Sequence, residues 1–341
     1  MICIRVDGNS IIGTGHVMRC LAIAEQLTSL GGQVCFVVAS NTMQSLINEK
    51  GYSIITLDKP WDDWNSQIED MQQLIFEYQI DVMLIDSYYL TEDFCKHIGN
   101  YTKIVYIDDL LQVAYSVDTI INYNVYGKQI QYDLLYGHCK DIKFYLGPQY
   151  VPLRSEFTCT KRNHDGKIRK ILITSGGTDN YNAIEQILEC LQNMYQDAYE
   201  YYVVLGKYHH KKNEIVQLYK FSSHVHVLLD VKNMAKWMRT CDLAISAGGT
   251  TIYELCSCGI PTIMYTIADN QMHMAKAFSD DNIIPYIGDF RYESNRCLDR
   301  LLDIMDQYSL SQKRLRSTSK KMQEIVDGNG SKRIASLLLS L

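Results

Sequence analysis

The sequence predicts an α/β protein of two similar domains, each a parallel sheet wrapped by helices, with a ligand cleft between them. Three observations lead there. Strand-like and helix-like segments alternate along both halves. The pattern restarts after a polar, proline-bearing stretch near the middle. A length of 341 residues is also long for one α/β domain and suits two of roughly 150 each.

In the first half the predicted strands are Ile2–Val6, Gln33–Val38, Ser53–Thr56, Val82–Ile85, Lys103–Ile107 and Thr119–Ile121. The clearest helix between them is Val17–Leu30, with Leu21, Ala24 and Leu27 on one face and Gly31-Gly32 as its stop. Pro148 to Lys170 is the best linker candidate, because the polar run Lys161 to Gly166 follows two prolines. The second half opens with strand Ile171–Thr174, Gly176-Gly177 and a helix over about Asn182–Met194. Further strands are Tyr201–Val204, Val225–Leu228, Leu243–Ser246 and Thr262–Tyr265. From Ser311 the tail is helical except at Gly328-Asn-Gly330. Domains 1–150 and 151–341 result, with the terminal helix free to pack back on the first domain.

Hydrophobic residues make up 47% of the chain, enough for a core in each half. The net charge is −6, and the 33 Lys and Arg form no block, so nucleic acid is not an expected partner. The start, Met1 to Asp7, reads as a strand rather than a signal peptide, and no run of about 18 apolar residues occurs. The eleven cysteines are odd in number, scattered and mostly in apolar segments, which suits reduced thiols in a cytoplasmic protein. Stable membrane insertion is not expected, and the chain is expected to be a monomer. The pairs His209-His210 and His224/His226 lack an acidic or Cys partner at matching spacing, so no metal is expected. No cofactor is expected either.

Three Gly-rich junctions each follow a strand and open a helix. The first, Gly13-Thr-Gly-His16, lies at the C-terminal side of the first strand, where open α/β sheets bind ligands. Gly13 and Gly15 let the chain turn tightly and bring its amides close to a ligand. His16 sits at a helix start, where the dipole disfavours imidazolium; a neutral ring at pH 7 can accept a proton from water. The alternative is a histidine that only bonds a neighbouring loop. The second junction is Ser175-Gly-Gly-Thr-Asp179, with Gly176 and Gly177 as its turn. The third is Ser246-Ala-Gly-Gly-Thr-Thr251, where Gly248, Gly249 and Thr250 can cradle a diphosphate and Glu254, one turn on, can take ribose hydroxyls. Tight turns for close helix–strand packing are the alternative for both. No Lys follows in Walker A spacing. Asp86-Ser-Tyr88 follows a buried strand on the same side, and Asp108-Asp109 ends another, the latter pair either as acid–base groups or as caps.

Taken together, these motifs carry a resemblance. Arg5-Val-Asp7, Gly13 to Arg19, Ile85 to Tyr88, Ile107 to Asp109, Ile121 to Asn124, Gly147 to Phe157, Ser175 to Asp179, Ser246 to Gln271 and Asp327 to Gly330 occur in order almost end to end. In this the chain resembles the UDP-2,4-diacetamido-2,4,6-trideoxy-β-L-altropyranose hydrolases of bacterial pseudaminic acid biosynthesis. These are relatives of the glycosyltransferases with two Rossmann-like domains (GT-B type), including the enzyme that transfers N-acetylglucosamine to lipid I. The resemblance implies a metal-independent, inverting hydrolase of a UDP-sugar, with His16 as general base. It implies Tyr88 as a wall of the active site, Asn270 and the adjoining Gln271 as substrate-binding residues, and Gly248 to Thr250 with Glu254 as the nucleotide site. Thr14 departs from the bulkier hydrophobic residue that the family often has there.

Two other functions remain open. A GT-B glycosyltransferase would share the nucleotide half and differ in what approaches the anomeric carbon. Against a lipid-linked acceptor stands Trp61-Asp-Asp-Trp64, apolar but acidic. A non-catalytic nucleotide-sugar sensor would be favoured by loss of His16, which is present.

Overall fold

The computed structural model describes every residue of the chain except 10, 110–112, 138–140, 159–160, 178 and 207–208. The chain divides into two compact units, Met1–Ser155 with Gly328–Leu341, and Glu156–Asp327. The break falls a few residues beyond the expected 150/151 boundary. Each unit carries one all-parallel sheet.

In the first unit the chain alternates β1 (Ile2–Val6), α1 (Gly15–Ser29), β2 (Val34–Val38), α2 (Gln44–Asn48), β3 (Ser53–Thr56) and α3 (Ile68–Tyr78). It continues with β4 (Val82–Asp86), α4 (Glu92–Ile98), β5 (Lys103–Ile107), β6 (Thr119–Asn122), α5 (Tyr132–Tyr136) and β7 (Lys143–Leu146). The strand order is β3-β2-β1-β4-β5-β6-β7. Every residue of the central strands β1 and β4 is buried, as expected where helices cover both faces of a parallel sheet. Because β1 pairs with both β2 and β4, the strand order reverses between β1 and β4. A ligand crevice opens at such a point, outside the carboxyl ends of the two strands.

Helix α1 buries Val17, Cys20, Leu21, Ala24 and Leu27 at helical spacing. It ends where Gly31 turns left-handed (φ +85°) and Gly32 N–H returns to the Leu27 carbonyl at 2.9 Å. The second unit runs β8 (Lys170–Thr174), α6 (Ala183–Tyr195), β9 (Glu200–Leu205), α7 (Lys212–Leu218), β10 (Val225–Leu229) and α8 (Met234–Thr240). Then come β11 (Leu243–Ala247), α9 (Thr251–Cys258), β12 (Thr262–Thr266), α10 (Met272–Asp280), β13 (Tyr286–Asp289), α11 (Phe290–Leu310) and α12 (Gln312–Ile325). Its sheet order is β10-β9-β8-β11-β12-β13.

Two strands have no counterpart in the sequence reading. Both are four-residue edge strands: β7 starts on an exposed Lys, and β13 contains Gly288 at φ +127° with an irregular register against β12. Short edges carry little periodic signal and form because a neighbour offers its backbone. The second half of the predicted linker is docked on the second unit. Arg162 donates to the Met238 and Cys241 carbonyls at 3.1 and 2.6 Å, and His164 Nε2 meets the Asp242 carbonyl at 2.8 Å.

The last helix, α13 (Gly330–Leu339), belongs to the first unit. Its start explains two of the motifs noted in the sequence. A Cβ on Gly330 would lie 2.0 Å from the Val151 carbonyl oxygen, so only glycine allows this approach. Ser331 Oγ donates to the Leu153 carbonyl at 2.7 Å, and Arg333 donates to the Gln149 carbonyl at 2.9 Å. Among the described residues every cysteine is a free thiol.

Candidate active site

The loop after β1 is shaped by hydrogen bonds to Asn9. Asn9 Oδ1 accepts the N–H groups of Ile11 and Ile12 at 2.8 and 2.9 Å, and Gly13 N–H closes the turn on the Asn9 carbonyl at 2.8 Å. Gly13 takes φ +75°, the left-handed region that L side chains resist. This turn delivers His16 to the second position of α1, 5% exposed, beside the carboxyl end of β4.

Asp86, the last residue of β4, is 1% exposed and aligned with Val6 of β1. Its Oδ1 lies 2.6 Å from His16 Nδ1. Arg19, one turn along α1, grips the same carboxylate with a fork: Nε meets Oδ2 at 2.5 Å and Nη2 meets Oδ1. Arg19 Nη1 reaches Asp109 Oδ2 at 2.7 Å and the Tyr123 hydroxyl. Burial alone would raise the Asp86 carboxyl, but Arg19 and then His16 outweigh it and hold the group well below the usual carboxylate range. An ionised Asp86 can only accept, so the hydrogen-bond network assigns the proton to His16 Nδ1 and leaves the lone pair on Nε2. The sequence supplied the helix dipole as the influence on this ring; the structure adds a carboxylate and a guanidinium, both in direct contact.

Tyr88 meets the His16 ring edge-on, with centroids 4.5 Å apart, and is 40% exposed. It lines the recess at His16 together with Asp7, Ile12, Ser87 and Tyr89. Behind it, Asp7 is paired to the buried Arg5 at 2.7 Å and takes the Ala39 N–H at 2.7 Å, while Arg5 lies over Trp64 at 4.7 Å. Arg5 and Asp7 therefore brace the loop. Asp108 accepts from the Tyr132 hydroxyl at 2.8 Å, apart from its neighbour Asp109 on Arg19.

In the second unit Glu254 stands one turn into α9, half-buried. Gly249 has open space where a Cβ would be, whereas one on Gly248 would come within 3.3 Å of Met264 Sδ. The amides of both glycines are already engaged: Gly248 N–H donates to the Tyr265 carbonyl at 2.8 Å and Gly249 N–H to the Ala247 carbonyl at 2.9 Å. The donors available at this helix start thus shift to Thr250 and Thr251. Asn270 is exposed on the turn before α10, and Gln271 Oε1 closes that turn by accepting Ile267 N–H at 2.9 Å.

The second glycine junction is packed from below. A Cβ on Gly206 would lie 2.3 Å from the Gly177 carbonyl oxygen, while Gly177 itself has open space on its Cβ side. Asp179 caps α6 by accepting the N–H groups of Ala183 and Ile184 at 3.0 and 2.9 Å. Thr178 of this motif lies outside the described residues. The two histidine pairs have different acidic neighbours: His209 stacks on His210 and lies 3.7 Å from Asp179, while His226 lies 3.7 Å from Glu200. Among the described residues no three His, Cys, Asp or Glu side chains converge as metal ligands.

Arg19 is the residue that sequence reasoning passed over. Its signal was the i, i+3 spacing from His16, which puts both on one helix face. Its partners at 86, 109 and 123 could not be read locally.

Residues 170–328 match the glycosyltransferase family 28 C-terminal domain. The chain is 27% identical over 274 residues to the uncharacterised protein MJ1062 of Methanocaldococcus jannaschii, covering 77% of this chain and 55% of that protein. It is 26% identical to the spore coat polysaccharide biosynthesis protein SpsG of Bacillus subtilis, covering 99% and 97% of the two chains. It is 25% identical to the UDP-2,4-diacetamido-2,4,6-trideoxy-β-L-altropyranose hydrolase of Campylobacter jejuni, covering 74% and 86%. Among solved structures, MurG of Acinetobacter baumannii superposes with a TM-score of 0.70 at 14% identity, covering 100% and 99%. The spinosyn rhamnosyltransferase SpnG gives 0.68 at 12%, covering 100% of each chain. The fold is the two-domain α/β GT-B fold.

Proposed function

We propose that this chain hydrolyses a UDP-linked 2,4-diacetamido-2,4,6-trideoxyhexose to the free sugar and UDP, in pseudaminic acid biosynthesis. The observation that carries the proposal is the buried His16–Asp86 pair at the strand-order reversal of the first sheet, 2.6 Å apart. The Campylobacter jejuni relative's name supports the substrate class. His16 Nε2 takes a proton from water as the water oxygen bonds to the anomeric carbon. The bond from that carbon to the β-phosphate oxygen breaks, UDP leaves with the electron pair, and the configuration inverts. Asp86 stabilises the imidazolium that forms. Tyr88 walls the sugar, Asn270 and Gln271 bind it, and the junctions at Gly13–Gly15 and Gly176–Gly177 offer close backbone approach. The Gly248–Thr251 turn holds the diphosphate and Glu254 the ribose.

Incubation with the UDP-linked diacetamido sugar and no acceptor should release UDP in step with free sugar. Tight binding without release would instead support a glycosyltransferase in which His16 deprotonates an acceptor hydroxyl.

Two further results are expected. Glu254→Ala should weaken UDP binding in calorimetry by roughly 1–3 kcal/mol, the scale of a lost charge-assisted hydrogen bond; unchanged affinity would move the nucleotide elsewhere. Turnover should survive EDTA, since amides at a helix N-terminus can take the diphosphate charge in place of a cation. Activity abolished by EDTA and restored by magnesium or manganese would overturn this.

A further inference from the structure

Resting on the reading of His16 as the base, we infer that Arg19 is a positioning residue that both aims Asp86 at His16 and keeps the imidazole ready to accept a proton. Two features of the geometry carry this. Arg19 forks onto Asp86, so the carboxylate cannot rotate away from Nδ1 without losing a two-pronged contact. Arg19 Nη2 also lies 3.0 Å from His16 Nδ1 itself. Both atoms carry hydrogen towards the shared Asp86 oxygen, so protonating the ring sets an imidazolium directly against a guanidinium. Asp86 favours the charged ring and Arg19 opposes it.

The balance depends on how Arg19 is divided. Its other arm is held by Asp109 Oδ2 at 2.7 Å and by the Tyr123 hydroxyl. The charged and titratable groups around the ring are Arg19 and Cys20 on its own helix, Asp86 and Tyr88 at the end of β4, and Asp7, itself paired to Arg5. Asp109 after β5 and Tyr123 after β6 act through Arg19. Within this set Arg19 is the cation closest to His16, and its charge opposes those of Asp86 and Asp109.

The test is the protonation midpoint of His16, followed by NMR of its ring carbons in the substrate-free protein and beside it the acid limb of the pH–rate profile. Arg19→Met should move both upward by at least about one pH unit, a tenfold smaller fraction of usable base on the acid side. Arg19→Lys keeps the charge without the fork, so it should leave the midpoint near wild type while lowering kcat more than KM rises. Asp109→Asn removes a negative charge and leaves Asp86 as the carboxylate partner of Arg19, so the midpoint should move down. Opposite shifts in Arg19→Met and Asp109→Asn are not what general loosening of the fold would produce. If Arg19→Met does not fold, Asp109→Asn decides the matter alone. An unmoved midpoint in the folded variants overturns the inference. Because the NMR titration needs no turnover, an absence of hydrolysis in the wild type would sink the hydrolase reading and leave this result standing.

Discussion

Replacing His16 with Asn should lower UDP release by about 10²–10⁴-fold while leaving UDP affinity and the thermal unfolding curve close to wild type. The loss is what a general base contributes when water is the nucleophile, equivalent to about 3–5 kcal/mol of transition-state stabilisation. Asn is the apt replacement because its amide N–H can still donate to Asp86, so the ionised carboxylate keeps a partner where His16 Nδ1 stood. The nucleotide groups assigned above lie on the second unit, in different loops, so calorimetry with UDP should not register the change. The wild-type rate should also fall on the acid side as the imidazole protonates, and that limb should vanish in the variant. Near-full turnover in His16→Asn would place the base elsewhere. Asp86 and the pair Asp108, held by Tyr132, and Asp109, held by Arg19, are then the next candidates.

Asp86→Asn should be at least as damaging, with turnover down by about 10³–10⁴-fold, and it should also destabilise the fold. The same exchange in a Ser-His-Asp triad costs about 10⁴, because the amide imposes the wrong tautomer. Here the new amide oxygen would turn to Arg19, presenting its NH₂ to His16 Nδ1. The ring would then carry its proton on Nε2, where the lone pair is needed. Removing one member of a buried, hydrogen-bonded charge set costs roughly 3–5 kcal/mol, moderated here because Arg19 keeps Asp109. Urea unfolding measures this, and nitrogen NMR of the ring reads the tautomer. The pH dependence has a definite sign. Arg19 and His16 outweigh burial and depress the Asp86 carboxyl in the folded state, so its contribution is complete above the ordinary carboxyl range near pH ~4. That contribution fades only as pH falls below that range, and wild type and variant should converge in strong acid. Turnover within about tenfold of wild type would show that Asp86 does not set the tautomer.

Much of this architecture is legible in the residues themselves. The strands show as apolar runs such as Val82–Ile85, and α1 shows as a stripe of Leu21, Ala24 and Leu27, because dihedral preference and one-sided burial repeat over a few residues. The glycine junctions and the placing of His16 at a helix start are local for the same reason. The tertiary structure alone brings His16 and Arg19 to Asp86, Asp109 and Tyr123, because those contacts follow from β4 lying beside β1 rather than from any spacing along the chain. Tertiary structure also decides that the Gly248 and Gly249 amides serve the Tyr265 and Ala247 carbonyls, and that β7 and β13 exist at all. It returns α13 to the first unit through the approach of Gly330 to Val151. Local sequence sets which dihedrals and faces a segment prefers; strand order and register, which depend on the whole chain, set which charges meet.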